Sequence, residues 1–325
     1  MSTETSRKNI NKEISPVCLF VYNRLEETKQ TVEALLKNNL ASESELFIFS
    51  DGPKSELASL KVNEVRHYVR QISGFKSVTI FESEVNKGLA MSIIDGVSKI
   101  VVQYGKVIVL EDDLKTTPDF LDFMNQALAF YEAYPRVQTI NGFSLALKEK
   151  SSDVYFQRRP FPWGWATWKE YWNVDLFNKK ELFDIINRDK SLLKSFKREC
   201  GADISKMLLE SLGNKNDSWY VRWSFNHFLS DNYSVYPTYS LVQNIGYNET
   251  GTHCSGVNPY LSVQKEDIKS IYSFIPFVNP SQNRTREFIF YFSKRHKIQI
   301  RIKLLISKNG RKTVLSEFLK KIAGK

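Results

Sequence analysis

The sequence predicts an α/β fold built on a mostly parallel sheet flanked by helices, and three observations carry that expectation. Short, almost continuous apolar runs recur along the first 150 residues, as strands buried on both faces require. Between them lie segments with apolar residues at helical spacing, long enough to cross from one parallel strand to the next. Each apolar run also stops at polar or turn-forming residues, so the strand ends are marked.

The elements follow in order. "PVCLFVYN" (Pro16–Asn23) is the first strand, and "LEETKQTVEALLKN" follows as a helix with Val32, Leu35 and Leu36 on one side. "ELFIFSDGP" is the second strand, ended by Asp51-Gly52-Pro53. Residues 57–72 read as a helix, "SVTIFES" as the third strand and residues 88–102 as another helix. "KVIVL" (Lys106–Leu110) is the fourth strand, Pro118 begins a helix running to about Tyr131, and "VQTINGF" is the fifth strand. Beyond residue 150 the alternation gives way to aromatic segments. "RRPFPWGWATWKEYW" holds four tryptophans, and "DSWYVRWSFNHFLSDNYSVYPTYS" follows a Lys-rich helical connection. Neither internal repeats nor low-complexity linkers interrupt the chain.

Composition narrows the function. Hydrophobic residues at 42% and charged residues at 25% suit a packed globular chain rather than a disordered one. Of the 46 Lys and Arg and 36 Asp and Glu, residues 294–325 hold 11 and one, leaving 35 of each in the rest. The whole formal charge of +10 therefore sits in the tail. A basic groove for nucleic acid is not expected from a neutral body. Cys18, Cys200 and Cys254 are scattered and odd in number, which suggests reduced thiols in the cytoplasm. The N-terminal stretch is polar, without the apolar core of a secretory signal, and no apolar run approaches a bilayer span.

In open parallel sheets ligands bind beyond the carboxyl ends of the strands. Asn23-Arg24, Asp51 and Glu111-Asp112-Asp113 all fall at such ends. Three consecutive carboxylates repel one another, and at a strand end they suit a hard divalent cation, Mg²⁺ or Mn²⁺, that also takes diphosphate oxygens. Such a cation offsets the repulsion and stabilises a departing diphosphate.

"VIVLEDDLKTTPDFLDFM" resembles the E-D-D-L…P-D-F segment of N-acetylglucosaminyltransferase I and its relatives, glycosyltransferases of the GT-A fold, and "PFPWGWATWKEYW" resembles their following aromatic segment. The resemblance spans roughly residues 15–255 and extends to bacterial polysaccharide sugar transferases. It implies a GT-A domain, placed over 15–290 with a nucleotide-binding half (15–150) and an acceptor half (151–290); composition sets apart a polar N-terminal segment (1–14) and a basic amphipathic tail (294–325). The resemblance further implies that Asp113 ligates the metal, Asp112 contacts the ribose, Glu111 the donor sugar and Asp51 the nucleobase, while Arg24 helps hold the nucleotide.

An inverting transfer also needs a carboxylate to take the acceptor proton. Asp217 in "NDSWYVRW" is the first candidate and Glu170 in "TWKEYW" the second; a turn or helix-start residue is the plain alternative for Asp217. Trp163, Trp165 and Trp168 could stack on sugar, or pack in the core. Gly164 between two tryptophans marks a tight turn or close backbone approach. His253 could reach diphosphate or metal, or be structural. Asn86-Lys87-Gly88 opens a helix whose N–H groups, with Lys87, could meet phosphate, although helix-start chemistry explains them as well.

The expected function is therefore metal-dependent transfer of a sugar from a nucleotide-sugar, UDP-GlcNAc being a family expectation, to a glycan or lipid-linked glycan in surface polysaccharide assembly. A sugar nucleotidyltransferase and a non-catalytic glycan- or membrane-binding protein are the alternatives. In the tail, Val314, Leu315, Phe318, Leu319 and Ile322 share one helical face among lysines and arginines. That face suits either an anionic membrane surface, placing the protein at the inner face of the plasma membrane, or a closing helix.

Overall fold

The first apolar runs become the parallel half of one sheet in the computed structural model, which describes residues 13–148, 150–247, 257–260, 262, 264, 267–306 and 310–315. β1 (Val17–Val21), β2 (Glu45–Ser50), β3 (Ser77–Glu82) and β4 (Lys106–Glu111) pair in parallel through α1 (Leu25–Leu36), α2 (Glu56–Val69) and α3 (Gly88–Tyr104). The short strand β5 (Leu114–Thr116), α4 (Phe120–Tyr131) and β6 (Val137–Asn141) follow.

Alternate residues of the buried strands feed two cores, as a period of two demands. Val17, Leu19 and Val21 of β1 face α1, α2 and α4, where Val32, Leu35, Val65, Phe120 and Met124 complete one core. Cys18 and Phe20 face α3, where Ile93, Val97 and Ile100 build the second. Each fully buried aliphatic contributes about 1.5–3 kcal/mol. Leu19, with no exposure, would cost about 3 kcal/mol as alanine because the packed neighbours cannot refill its space.

The aromatic half does not leave the sheet. β7 (Val154–Gln157), β8 (Trp165–Trp168) and β9 (Tyr233–Pro237) extend it to eight strands in the order β3-β2-β1-β4-β8-β6-β9-β7. Six strands point the same way, while β7 and β8 run against their neighbours. β8 lies between β4 and β6, so the fifth predicted strand does not adjoin the fourth. The reason is local: Trp165–Trp168 is buried along its whole length and too short to read as a strand among turn formers. α5 (Lys179–Arg188), α6 (Lys190–Cys200), α7 (Ala202–Leu212) and α8 (Trp219–Leu229) form the remaining cover on the α3 face.

β10 (Val242–Asn244) pairs antiparallel with β5; α9 (Gln282–Phe290) packs Phe288 into the core shared with α4, and α10 (Lys294–Leu304) follows it. Cys18 and Cys200 are buried and free. Among the described residues no helix is long and apolar enough to cross a membrane.

One topological fact positions the site. The chain builds β1, β2 and β3 outward in one direction, then returns to place β4 on the other side of β1. Connections therefore diverge between β1 and β4, leaving a crevice beyond their carboxyl ends.

Candidate functional site

A cavity of about 230 Å³ fills that crevice, and its floor is the ends of β1 and β4. Phe20 and Glu111 are register partners, so the last residues of the two strands, Val21 to Arg24 and Glu111 to Asp113, face each other across it. Phe20, Phe49 and Trp163 supply apolar wall, and Asn86, Ser92 and Asn244 supply polar edges.

Arg24 organises the acids. Its guanidinium pairs with Asp112 through two nitrogens and with Asp113 Oδ2 at 3.0 Å. Asp112 is held further by its own backbone carbonyl, which accepts from Thr31 Oγ1 at 2.9 Å. Burial opposes Arg24's charge, but Asp112 and Asp113 outweigh it and raise its pKa. Burial also raises all three carboxyls. Glu111 is pushed up to about 8, first by burial and then by repulsion from Asp113 and Asp112. Asp112 rises to about 6 and Asp113 rises too, in both cases because burial exceeds the pull of Arg24. One guanidinium thus faces three carboxyls, a charge deficit that a cation from solution would relieve.

The segment after β10 closes over this group. Ile245 N donates to Asp113 O at 2.9 Å, and Gly246 lies against the carboxylate itself. A Cβ on Gly246 would overlap Asp113 Oδ2 and stand 3.1 Å from Arg24 Nη1, so only glycine lets the backbone pass. Neither Asn244 nor Gly246 stands out in the sequence, because their closeness to Asp113 depends on the long-range pairing of β10 with β5.

Asp51 lines the cavity, but its carboxylate is already spent. Oδ1 accepts from Gly52 N at 2.9 Å and Lys87 N at 2.8 Å; Oδ2 accepts from Gly88 N at 2.9 Å and Asn86 Nδ2 at 3.0 Å. Four bonds fill the lone-pair positions of a carboxylate. Asp51 therefore serves as the anion at the N-terminus of α3, the place the sequence left open for phosphate. Lys87 gives its backbone N–H to this arrangement and its side chain to Asp95, 2.9 Å away, outside the cavity.

The tryptophans separate. Trp163 lines the cavity, held edge-on against Phe143 (4.6 Å), Phe161 (4.9 Å) and Tyr260 (5.7 Å between ring centroids). Gly164, at φ 66°, then turns the chain, with no room for a Cβ against Val242 and Leu110. Trp165 consequently points to the α3 face, 1% exposed, among Trp172, Trp219 and Trp223 at 5.5, 5.4 and 4.5 Å. It is core, not sugar wall, and Trp168 is buried likewise.

Neither base candidate lines the cavity. Trp168 pairs with Lys106 at the start of β4, and Lys169 N donates to Gly105 O. Glu170 is therefore at the opposite edge of the sheet from Glu111, about 16 Å of strand away. Because β8 is antiparallel to β4, its far end cannot reach the cavity. Asp217 precedes α8, whose Trp219 stacks on Trp165. Asp217 does not line the cavity wall; it is more than half exposed and bridges Lys179 and Arg222, each at 3.1 Å. His253 lies outside the described residues.

No protein-family model matches the sequence, and no curated protein matches it. Among solved structures, the chain is similar to the mannosyltransferase PcManGT from Pyrobaculum calidifontis, a complex with GDP-Man and Mn²⁺. That alignment is 13% identical, covers 49% of this chain and 46% of that one, and has a TM-score of 0.34. S. aureus TarS aligns at 12% identity over 48% of this chain and 29% of its own, with a TM-score of 0.32. The aligned part is less than half of each neighbour, and likeness at this level carries no argument about chemistry. The reading of function rests on the cavity.

Proposed function

We propose that the chain is a metal-dependent glycosyltransferase of GT-A type, moving a sugar from a nucleotide-sugar to a hydroxyl of a glycan or lipid-linked glycan. The observation that carries this reading is the Glu111-Asp112-Asp113 strand end at the β1/β4 crevice, half-buried at Glu111 and buried at Asp112 and Asp113, facing an aromatic wall. The described cavity residues include four acids, Asp51, Glu111, Asp112 and Asp113, against two cations, Arg24 and Lys54. A diphosphate would be repelled by that wall unless a divalent cation came with it.

The residues fit such a cation held through Asp113, with phosphate and water completing its shell, as hard divalent ions favour. Bound there, Mn²⁺ or Mg²⁺ would supply positive charge to the diphosphate leaving group. Arg24 orients Asp112 and Asp113 and adds a second fixed charge. Asp112 is the proposed ribose contact, Glu111 the sugar contact and Trp163 the face against which the sugar lies. With Asp51 saturated by amides, its proposed part in nucleobase recognition is to fix the Asn86–Gly88 backbone at the cavity edge.

Of the two base candidates we retain Asp217 for an inverting transfer, because Glu170 lies about 16 Å of strand from Glu111, and acceptor binding would have to bring Asp217 into reach. A uridine nucleotide, an acceptor in surface polysaccharide assembly and a cytoplasmic, peripheral membrane location are further parts of the proposal. The nucleotidyltransferase alternative needs a Gly-rich phosphate loop after the first strand. Here α1 begins at Leu25, four residues after β1 ends, and Tyr22-Asn23-Arg24 between them contains no glycine.

The test is a panel of nucleotide-sugars with and without Mn²⁺, read as release of nucleoside diphosphate. Metal-dependent release with one donor class is expected. Nucleotide binding indifferent to Mn²⁺, without turnover of any donor, overturns the assignment in favour of a binding protein.

A further inference from the structure

α10 carries apolar residues on two faces, and among the described residues only one of them is covered. On the inner face His296 and Ile300 are 7% and 6% exposed. His296 Nε2 lies 2.9 Å from Pro259 O, and its ring packs against Tyr291 at 4.8 Å and Phe290 at 5.4 Å. With Ser293 capping the first turn through His296 N, these contacts fix the helix to the body.

The outer face holds Ile298, Ile302, Leu305 and Ile306, exposed by 57%, 59%, 46% and 81%. Ile298 and Ile302 lie on α10 and Leu305 and Ile306 in the turn just past its last residue; continued at 3.6 residues per turn, the four fall within a single arc of about 100°. Lys294 and Lys303 bound that arc and Arg295 lies within it, all exposed. No acidic residue occurs between Lys294 and Ile306, and exposed Arg311, Lys312 and Leu315 continue the same chemistry. Scattered exposed aliphatics need no explanation, but four in one stripe flanked by one sign of charge do.

We infer that the outer face of α10 is a docking surface for an anionic lipid bilayer, with the four aliphatics entering the interface and Lys294, Arg295 and Lys303 meeting headgroup phosphates. Charge complementarity selects lipid. An apolar protein partner explains the aliphatics but not the lack of acids along residues 294–306, whereas an anionic leaflet requires both features together. Long basic side chains also let their stems lie along the apolar stripe while the charges reach the headgroups. α10 is too short and too charged to span, so the attachment is peripheral. This inference deepens the membrane part of the functional reading and is independent of the cavity chemistry.

Co-sedimentation of the full chain with vesicles tests it. Wild type should bind phosphatidylglycerol-containing vesicles and leave pure phosphatidylcholine vesicles largely free. I298Q/I302Q/I306Q keeps helix-forming residues and should weaken partitioning at least tenfold or so. K294E/R295E/K303E should abolish the preference for anionic vesicles, since each lost cation is worth about fivefold. Salt near 1 M should weaken wild type toward the charge variant. Equal sedimentation of wild type and both variants, or none by wild type, overturns the assignment. So does a concentration-dependent dimer that the glutamine variant dissolves, because the stripe then belongs to a second copy. Nucleoside diphosphate release in vesicle-free solution, measured on the same variants, should be unchanged and reports on the cavity separately.

Discussion

Arg24 Nη1 stands 3.0 Å from Asp113 Oδ2, and the two side chains are 19% and 10% exposed. The same guanidinium holds Asp112, so a single cation just beyond β1 offsets part of the negative charge at the acidic end of β4. This is where two sequence-distant strand ends become one site.

Removing Arg24 should therefore act on stability and on ligands together. Arg24→Ala should cost about 2 kcal/mol in urea unfolding, less than for a fully buried pair because part of the guanidinium reaches solvent. Millimolar Mn²⁺ should restore some of that loss, since the ion replaces the missing charge. Asp113→Ala should keep the fold and lose metal-dependent donor binding. Wild-type Mn²⁺ dependence in a folded Asp113→Ala protein would sink the metal assignment.

Gly246 makes a separate test, because it touches the acids only through space. Gly246→Ala should displace Asp113 and lower donor turnover by at least about tenfold, by analogy with small misplacements of catalytic groups. Unfolding should change little, as the residue follows the short edge strand β10. Unchanged turnover would mean that Asp113 is not held in its working position by this segment.

Asp51→Ala should destabilise by about 2–3 kcal/mol, since it strips a charged acceptor from three backbone amides and caps nothing in return. Asp51→Asn, which keeps one oxygen, should fall between. Full stability with altered discrimination among nucleobases would instead return the carboxylate to direct base contact.

For the acceptor proton, Asp217→Asn should retain donor affinity and lose transfer by about 10²–10⁴-fold, the usual worth of a general base. Glu170→Gln should remain active, because its place at the start of β4 is remote from the cavity. An inactive Glu170→Gln beside an active Asp217→Asn reverses the roles.

Several features were legible in the residues because they are local. Apolar runs disclosed β1 to β4 as strands, buried on both faces in β1 and β4 and exposed at the sheet edge in β3, and helical patterns disclosed α1 to α4. A strand ending in three carboxylates located the acidic wall, and Gly164 between tryptophans marked a turn that φ 66° bears out. The tail's charge imbalance needed only counting.

The rest depended on partners far along the chain, which no local pattern encodes. Trp163 and Trp165 are equivalent in sequence, yet the turn at Gly164 sends one to the cavity and the other into a tryptophan core. Asp51 looks like a ligand contact until the N-terminus of α3, some 36 residues later, arrives to take its lone pairs. Glu170 looks like a neighbour of the site until β8 is seen to run antiparallel to β4 and carry it to the other edge. Apolar periodicity is read from adjacent residues because it reports burial. Which buried neighbour a residue meets is set by strand order and direction, and those are decided only when the whole sheet closes.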